Sequence, residues 1–153
     1  MKLLKYSIVF LIFNFGALAI GNLFMGKGPQ TQWYLSLNKA PWTPPGWVFG
    51  VAWSVIMVCF SVYMAILYKS TPSTSALALF AFQFILNISW NYVFFNQHFI
   101  ALGFLVIVML TGIVAIFTLH YINTLKINTW LIAPYLLWLC IATSLNGYIL
   151  LKN

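Results

Sequence analysis

Apolar residues fall in long blocks separated by short polar punctuation, and five of these blocks are close to the about 20 residues that cross a bilayer core as a helix. They run from about Tyr6 to Met25, Trp47 to Tyr68, Ala76 to Phe95, Ile100 to Ile122 and Thr129 to Leu151. Gly26, Gly28 and Pro29 close the first block, and Thr43-Pro44-Pro45 offers a cap and a helix-compatible proline before the second. Ser70-Thr71-Pro72-Ser73, Asn96-Gln97-His98 and Lys126-Ile127-Asn128 make the remaining turns. The pattern predicts an all-α integral membrane protein, a bundle of five transmembrane helices, with 1–153 forming a single domain. The one long connection, 27–46, is too polar to span and holds Trp33, Tyr34, Trp42 and a run of prolines. It is expected to fold over the bundle as a lid.

Composition agrees, since 63% of the residues are hydrophobic and 5% charged, far from the soluble norm of roughly 45–50% and about 25%. The charged set is seven lysines, with no Arg, Asp or Glu. Every mechanism that needs a carboxylate is thereby excluded, including paired-carboxylate hydrolysis, Ser-His-Asp catalysis and acidic proton relays. The lysines stand singly at 2, 5, 27, 39, 69, 126 and 152, which marks membrane boundaries rather than the clustered basic face of a nucleic-acid binder. Four fall on one side of a five-span topology and three on the other, a weak orientation signal. Lys2, Lys5 and Ala17-Leu18-Ala19 imitate a signal peptide, but the apolar run continues to Met25, which suits a retained helix whose Ala17 and Gly21 permit close packing. Cys59 and Cys140 lie in apolar runs and read as buried, inert thiols; His98 and His120 read as interfacial residues, and no metal site is expected.

Candidate chemistry lies in polar and aromatic stripes within the apolar blocks. Gln83, Asn87 and Asn91 recur every four residues in the third block, with Trp90 and Phe94 beside them. Lipid is the wrong environment for carboxamides, so this stripe must face other helices or a cavity. Tyr135, Trp138, Ala142, Leu145 and Asn146 make a second stripe, and Phe49, Trp53, Met57 and Phe60 a third. Three such faces converging under a Trp-rich loop describe an apolar cavity with a few hydrogen-bonding groups. It suits a large, flat, mostly apolar ligand whose rings stack on indole and whose polar edges meet the amides. Trp42, Phe49, Trp53, Asn87, Trp90, Tyr135, Trp138, Ala142 and Asn146 are the expected lining. Lys39 is a candidate partner for a ligand's acid groups, against the plainer reading of a solvated lysine. Pro134 is expected to bend the fifth helix near the cavity.

These residues, in this order, resemble the translocator protein family, the TspO/MBR or tryptophan-rich sensory proteins. The matching blocks are Trp33-Tyr34, Leu37, Lys39, Pro41-Trp42, Pro44-Pro45, Phe49 and Trp53, with Ala40 where the pattern often has proline; then Asn87, Trp90 and Phe94-Phe95; then Pro134-Tyr135, Trp138, Ala142 and Leu145-Asn146, ending in Asn153. The resemblance implies a five-helix bundle, commonly a homodimer, that binds protoporphyrin IX and related tetrapyrroles, isoquinoline carboxamide drugs and, in animal members, cholesterol. It implies a receptor or carrier in porphyrin transport or regulation, with no resident cofactor, the porphyrin being ligand or substrate; the short chain and lack of a targeting sequence lead to the expectation of a bacterial inner membrane. An alternative implied by some bacterial members is light- and oxygen-dependent porphyrin degradation, for which Trp53 and Trp138 would be catalytic. Leu145, Tyr148 and Lys152 formally satisfy a weak sterol-contact pattern, and a scaffold role is a further alternative. Family members often carry acids in the long loop and fourth helix; this chain has none.

Overall fold

The computed structural model describes residues 1–153 and is entirely helical, with no strands. The elements are α1 (Lys2–Met25), a 3-10 turn Gly28–Gln30, the short α2 (Gln32–Ser36), α3 (Gly46–Ser70), α4 (Thr74–Asn91) extended by a π turn Tyr92–Asn96, α5 (Ile100–Leu125), a 3-10 segment Lys126–Ile132 and α6 (Ala133–Lys152). Five long helices therefore stand where five apolar blocks were expected. In an apolar solvent a backbone polar group has no water to bond, so each block closes its own N–H and C=O groups as a helix.

Continuous helical stretches that are long and apolar enough to cross a membrane number four, not five: Lys2–Gln30, Gly46–Ser70, Thr74–Asn96 and Ile100–Lys152. The difference arises at Lys126-Ile127-Asn128, which was expected to make a turn. The turn forms there, but the 3-10 segment Lys126–Ile132 follows α5 without a gap, so α5 and α6 make one continuous stretch. Fully straight, 53 residues would reach about 80 Å against a hydrocarbon core of about 30 Å. The stretch instead reverses at Lys126, whose φ of 50° breaks the α-helical path, and α5 packs on α6.

Local sequence rules account for most ends. Gly26 leaves α1 with φ 52°, a conformation glycine adopts without Cβ strain. The Ser73 side chain accepts from the Ala76 N–H at 3.3 Å and caps α4. The proposed Thr43 cap does not form: Pro45 holds the N-cap position of α3, and the Thr43 hydroxyl donates to the Ala40 carbonyl at 2.7 Å. Pro134 does not bend α6 either, because it occupies its first turn, where a missing N–H costs nothing. The departure from ideal helix lies just before it, in the 3-10 segment.

The core is built around Phe60, Tyr63, Met64, Phe117 and Tyr135. On α1, Asn14, Ala17 and Gly21 are buried, and the Asn14 amide donates to Ser61 Oγ on α3 at 2.8 Å while Ser61 donates to the Met57 carbonyl at 2.6 Å. A Cβ on Gly21 would come within 2.8 Å of Asn91 Nδ2, so the small residue does set the approach of α1 to α4. The cysteines are not interior: Cys59 is half-buried and Cys140 exposed, since an apolar block also supplies the outward faces that meet lipid.

The Asn14–Ser61 contact generates a first prediction. A double-mutant cycle with Asn14→Ala and Ser61→Ala, read by unfolding in detergent, should give a coupling energy of about 0.6–1.7 kcal/mol, the range of interhelical hydrogen bonds in membrane bundles. Additive mutants would mean that the contact contributes nothing.

Candidate functional site

The three stripes meet between α3, α4 and α6. On the aromatic side, α3 and α6 form two rungs: Phe49 lies edge-on to Trp138 with ring centroids 5.2 Å apart, and Trp53 edge-on to Tyr135 at 6.0 Å. Phe60 approaches the same Tyr135 ring at 5.2 Å from deeper in the bundle. The helices run antiparallel, so i, i+4 spacing on α3 meets i, i+3 spacing on α6 and the four rings interleave.

The polar side is two short sets of hydrogen bonds. Asn87 Nδ2 donates to Tyr135 Oη at 3.1 Å, and Tyr135 Oη donates to Gln83 Oε1 at 2.9 Å. One turn further along, Trp90 Nε1 donates to Asn146 Oδ1 at 3.3 Å, and Asn146 Nδ2 donates to the Ala142 carbonyl at 2.9 Å. Gln83, Asn87, Tyr135, Trp138, Ala142 and Asn146 are all buried, while Phe49, Trp53 and Trp90 are half-buried. Tyr135 Oη and both polar amide atoms of Asn146 are thus engaged, and a ligand that reaches those atoms has to exchange these bonds for its own.

Two residues from the stripes and loop take other places. Asn91 turns toward α1, beside Gly21, with Nδ2 3.4 Å from the Asn87 carbonyl. Eight residues of helix rotate a side chain by about 80°, enough to carry Asn91 off the face shared by Gln83 and Asn87. Trp42, 54% exposed, lies across the outer side of α6: its Nε1 donates to Ser144 Oγ at 3.2 Å and its ring meets Tyr148 edge-on at 5.4 Å. Tyr148 is therefore occupied by the loop, Leu145 is turned into the bundle, and Lys152 is exposed with its carbonyl accepting from Asn38 Nδ2 at 3.2 Å. At i, i+3 and i+7 the three residues share one face of α6, but they pass along it from buried Leu145 through half-buried Tyr148 to exposed Lys152.

The loop is fastened at three points. Trp33 stacks on His98 at 4.0 Å and meets Phe94 edge-on at 5.5 Å, while Tyr34 packs on Phe95 at 5.3 Å. The π turn presents Phe94 and Phe95 for this contact, and Phe94 in turn stacks on Trp90 at 5.5 Å, linking loop and buried cluster. Gly28 lies so close to Phe95 that a Cβ would fall 2.6 Å from it. The second fastening joins Asn38 to the last residue: its N–H donates to Asn153 Oδ1 at 2.9 Å, and Asn153 Nδ2 donates to the Asn38 carbonyl at 3.3 Å. Trp42 on Ser144 is the third. No local sequence signal announces the Asn38–Asn153 or Trp42–Ser144 pairs, which join residues more than 100 positions apart.

Lys39 is half-buried, and its ammonium is turned back on the loop's own carbonyls. Its Nζ lies 2.9 Å from the Tyr34 carbonyl and 3.3 Å from that of Leu35, where it satisfies the C-terminal carbonyls of α2, and it sits 4.9 Å from the centre of the Tyr34 ring. Burial pushes the Tyr34 phenol above its ordinary 10.0, so the clamp holds the neutral form. Its contribution is intact below pH 10.0 and fades as pH rises beyond it.

This ordered set of loop tryptophans, amides and α6 aromatics coincides with a known family: the TspO/MBR family model matches residues 8–151. The chain belongs to the TspO/MBR family. Its relatives include the tryptophan-rich protein TspO of Bacillus cereus, 30% identical with 93% of each chain covered, and protein CrtK of Rhodobacter capsulatus, 32% identical with 74% of each covered. The human translocator protein is 26% identical, with 83% of this chain and 78% of that one covered. Family membership and the four apolar helical stretches together make this TspO/MBR protein an integral membrane protein.

The Tyr135 hydroxyl is the node of the polar chain, which sets a second prediction. Tyr135→Phe leaves Gln83 and Asn87 without their partner in the interior and should destabilise the protein by about 1–3 kcal/mol in thermal unfolding. Trp42→Phe removes only an exposed contact and should stay within about 0.5 kcal/mol of the parent. Equal effects of the two changes would refute the node.

Proposed function

We propose that this TspO/MBR protein is a membrane receptor or carrier that binds protoporphyrin IX or a related tetrapyrrole between α3, α4 and α6, with the loop 27–46 as the lid. The observation that carries the reading is the paired aromatic rungs Phe49–Trp138 and Trp53–Tyr135 standing beside a row of carboxamides. Parting α3 from α6 opens a slot walled by indole and phenyl rings, suited to a flat macrocycle, while Asn87 and Asn146 supply donors and acceptors at its edge. The same slot suits aromatic carboxamide drugs of the isoquinoline type.

In this reading α5 and α6 cross the membrane separately, so that the bundle has five spans, and the protein works as a homodimer in a bacterial inner membrane. No resident cofactor is required, and the tetrapyrrole is ligand or substrate. The absence of Asp and Glu argues for a binder rather than an ion-coupled pump. Light- and oxygen-dependent breakdown of the porphyrin is a second reading, favoured by Trp53 and Trp138 lying on adjacent rungs where both indoles would border one ligand. Sterol binding through Leu145, Tyr148 and Lys152 has less support, since Leu145 faces inward and Tyr148 is covered by Trp42.

Titration of the purified protein with protoporphyrin IX, followed by tryptophan quenching, tests the assignment. Saturation near one ligand per chain is expected, with Trp53→Phe and Trp138→Phe each weakening affinity by about 1 kcal/mol. Linear quenching shared by an unrelated multi-span protein would mean partitioning into detergent and would sink the binding site. Illumination of the complex in air then decides turnover: consumption of several equivalents to a defined product supports the degradative reading, and bleaching equal to that in empty micelles rejects it.

A further inference from the structure

A groove of about 370 Å³ lies at the opposite end of the bundle from the lid, where the last turns of α5, the 3-10 segment and the first turns of α6 meet. Ile122, Leu136 and Leu137 form an apolar wall, with Lys126, Thr129 and Trp130 beside it. Three independent features mark it. Lys126 has φ 50°, a left-handed conformation that an L side chain rarely adopts and that is tolerated where the surroundings impose it. Thr129 is 9% exposed, and its Oγ1 is a buried side-chain oxygen with no hydrogen-bond partner. Trp130 is 74% exposed, an indole that the protein leaves uncovered beside a lysine.

The geometry points to a binding site for an anionic diacyl phospholipid. The phosphate sits against the Lys126 ammonium, for which a chain without Asp or Glu supplies no counter-charge. Thr129, in the same lining, carries a hydroxyl that no protein group uses. Trp130 takes the headgroup boundary, where amphipathic rings are favoured, and an acyl chain runs down Ile122, Leu136 and Leu137. A basic pocket between helices at a membrane surface is the recurring form of such sites. The apolar wall selects a lipid over free phosphate, and the lysine selects an anionic lipid over a zwitterionic one. The site is independent of the tetrapyrrole reading, since it shares no residue with the α3–α4–α6 cluster.

Bromine on acyl chains quenches tryptophan on contact, and Trp130 is a built-in reporter. The full chain is placed in phosphatidylcholine bilayers, dibrominated phosphatidylglycerol or dibrominated phosphatidylcholine is added, and the Trp130 signal is taken as the difference from Trp130→Phe. Phosphatidylglycerol should quench Trp130 at a lower mole fraction than phosphatidylcholine. Lys126→Asn should reduce that preference about fivefold. The Lys126 backbone, φ 50° and ψ −120°, matches the first central position of a type II′ turn, where asparagine is among the favoured residues, so this variant keeps the fold while losing the charge. Lys69→Gln, which removes a charge at the same end but away from the groove, should leave the preference intact. Equal quenching by the two lipids, equal losses in the two lysine variants, or release of the quenching by millimolar inorganic phosphate would each overturn the lipid site.

Discussion

The interior of this bundle rests on one constraint: polar side chains placed in an apolar medium, in a chain with no carboxylate, have to satisfy one another with neutral groups. Tyr135 meets it by accepting from Asn87 and donating to Gln83, so one hydroxyl pairs two carboxamides that lipid would leave bare. Asn14 and Ser61 solve the same problem between α1 and α3, and Trp90 and Asn146 between α4 and α6. Because each bond crosses between helices, it also fixes how they are rotated. A bundle held only by hydrophobic contact in lipid would lack this specification, since lipid tails are as apolar as leucine.

The same pairing bears on the proposed ligand site. Neutral hydrogen bonds contribute about 0.5–1.5 kcal/mol each, so exchanging two or three of them for bonds to a ligand is energetically accessible. A salt bridge at that depth would have resisted the exchange far more strongly. The loop follows the same economy, fastened by ring contacts, an Asn–Asn pair and one indole–hydroxyl bond, none requiring opposite charges. Of its two cations, Lys27 and Lys39, the second closes α2 on itself and so stabilises the loop rather than recruiting an acid.

The two ends of the molecule are consequently unlike. At the lid end, aromatic and amide contacts bury the connection against the π turn and the C-terminus. At the other end, the tight join between α5 and α6 places Lys126 at a positive φ and leaves Trp130 exposed beside an apolar groove.

Block length and polarity in the sequence determined the five helices, the single long connection and the faces on which Gln83, Asn87, Tyr135, Trp138 and Asn146 lie, because helix formation in apolar surroundings follows from local content and a 3.6-residue period. The tertiary structure alone decided what those rules do not carry. Asn91 departs from its stripe because rotation accumulates over two turns until α1 becomes its neighbour. Trp42 and Lys39, both within the motif that marks the family, take positions set by Ser144, Tyr148 and the carbonyls of α2. Pro134 proved to begin a helix rather than bend one, since the 3-10 segment before it absorbs the change of direction. Contacts between residues 115 positions apart, such as Asn38 with Asn153, depend on how whole helices pack, and no short window of sequence contains that information.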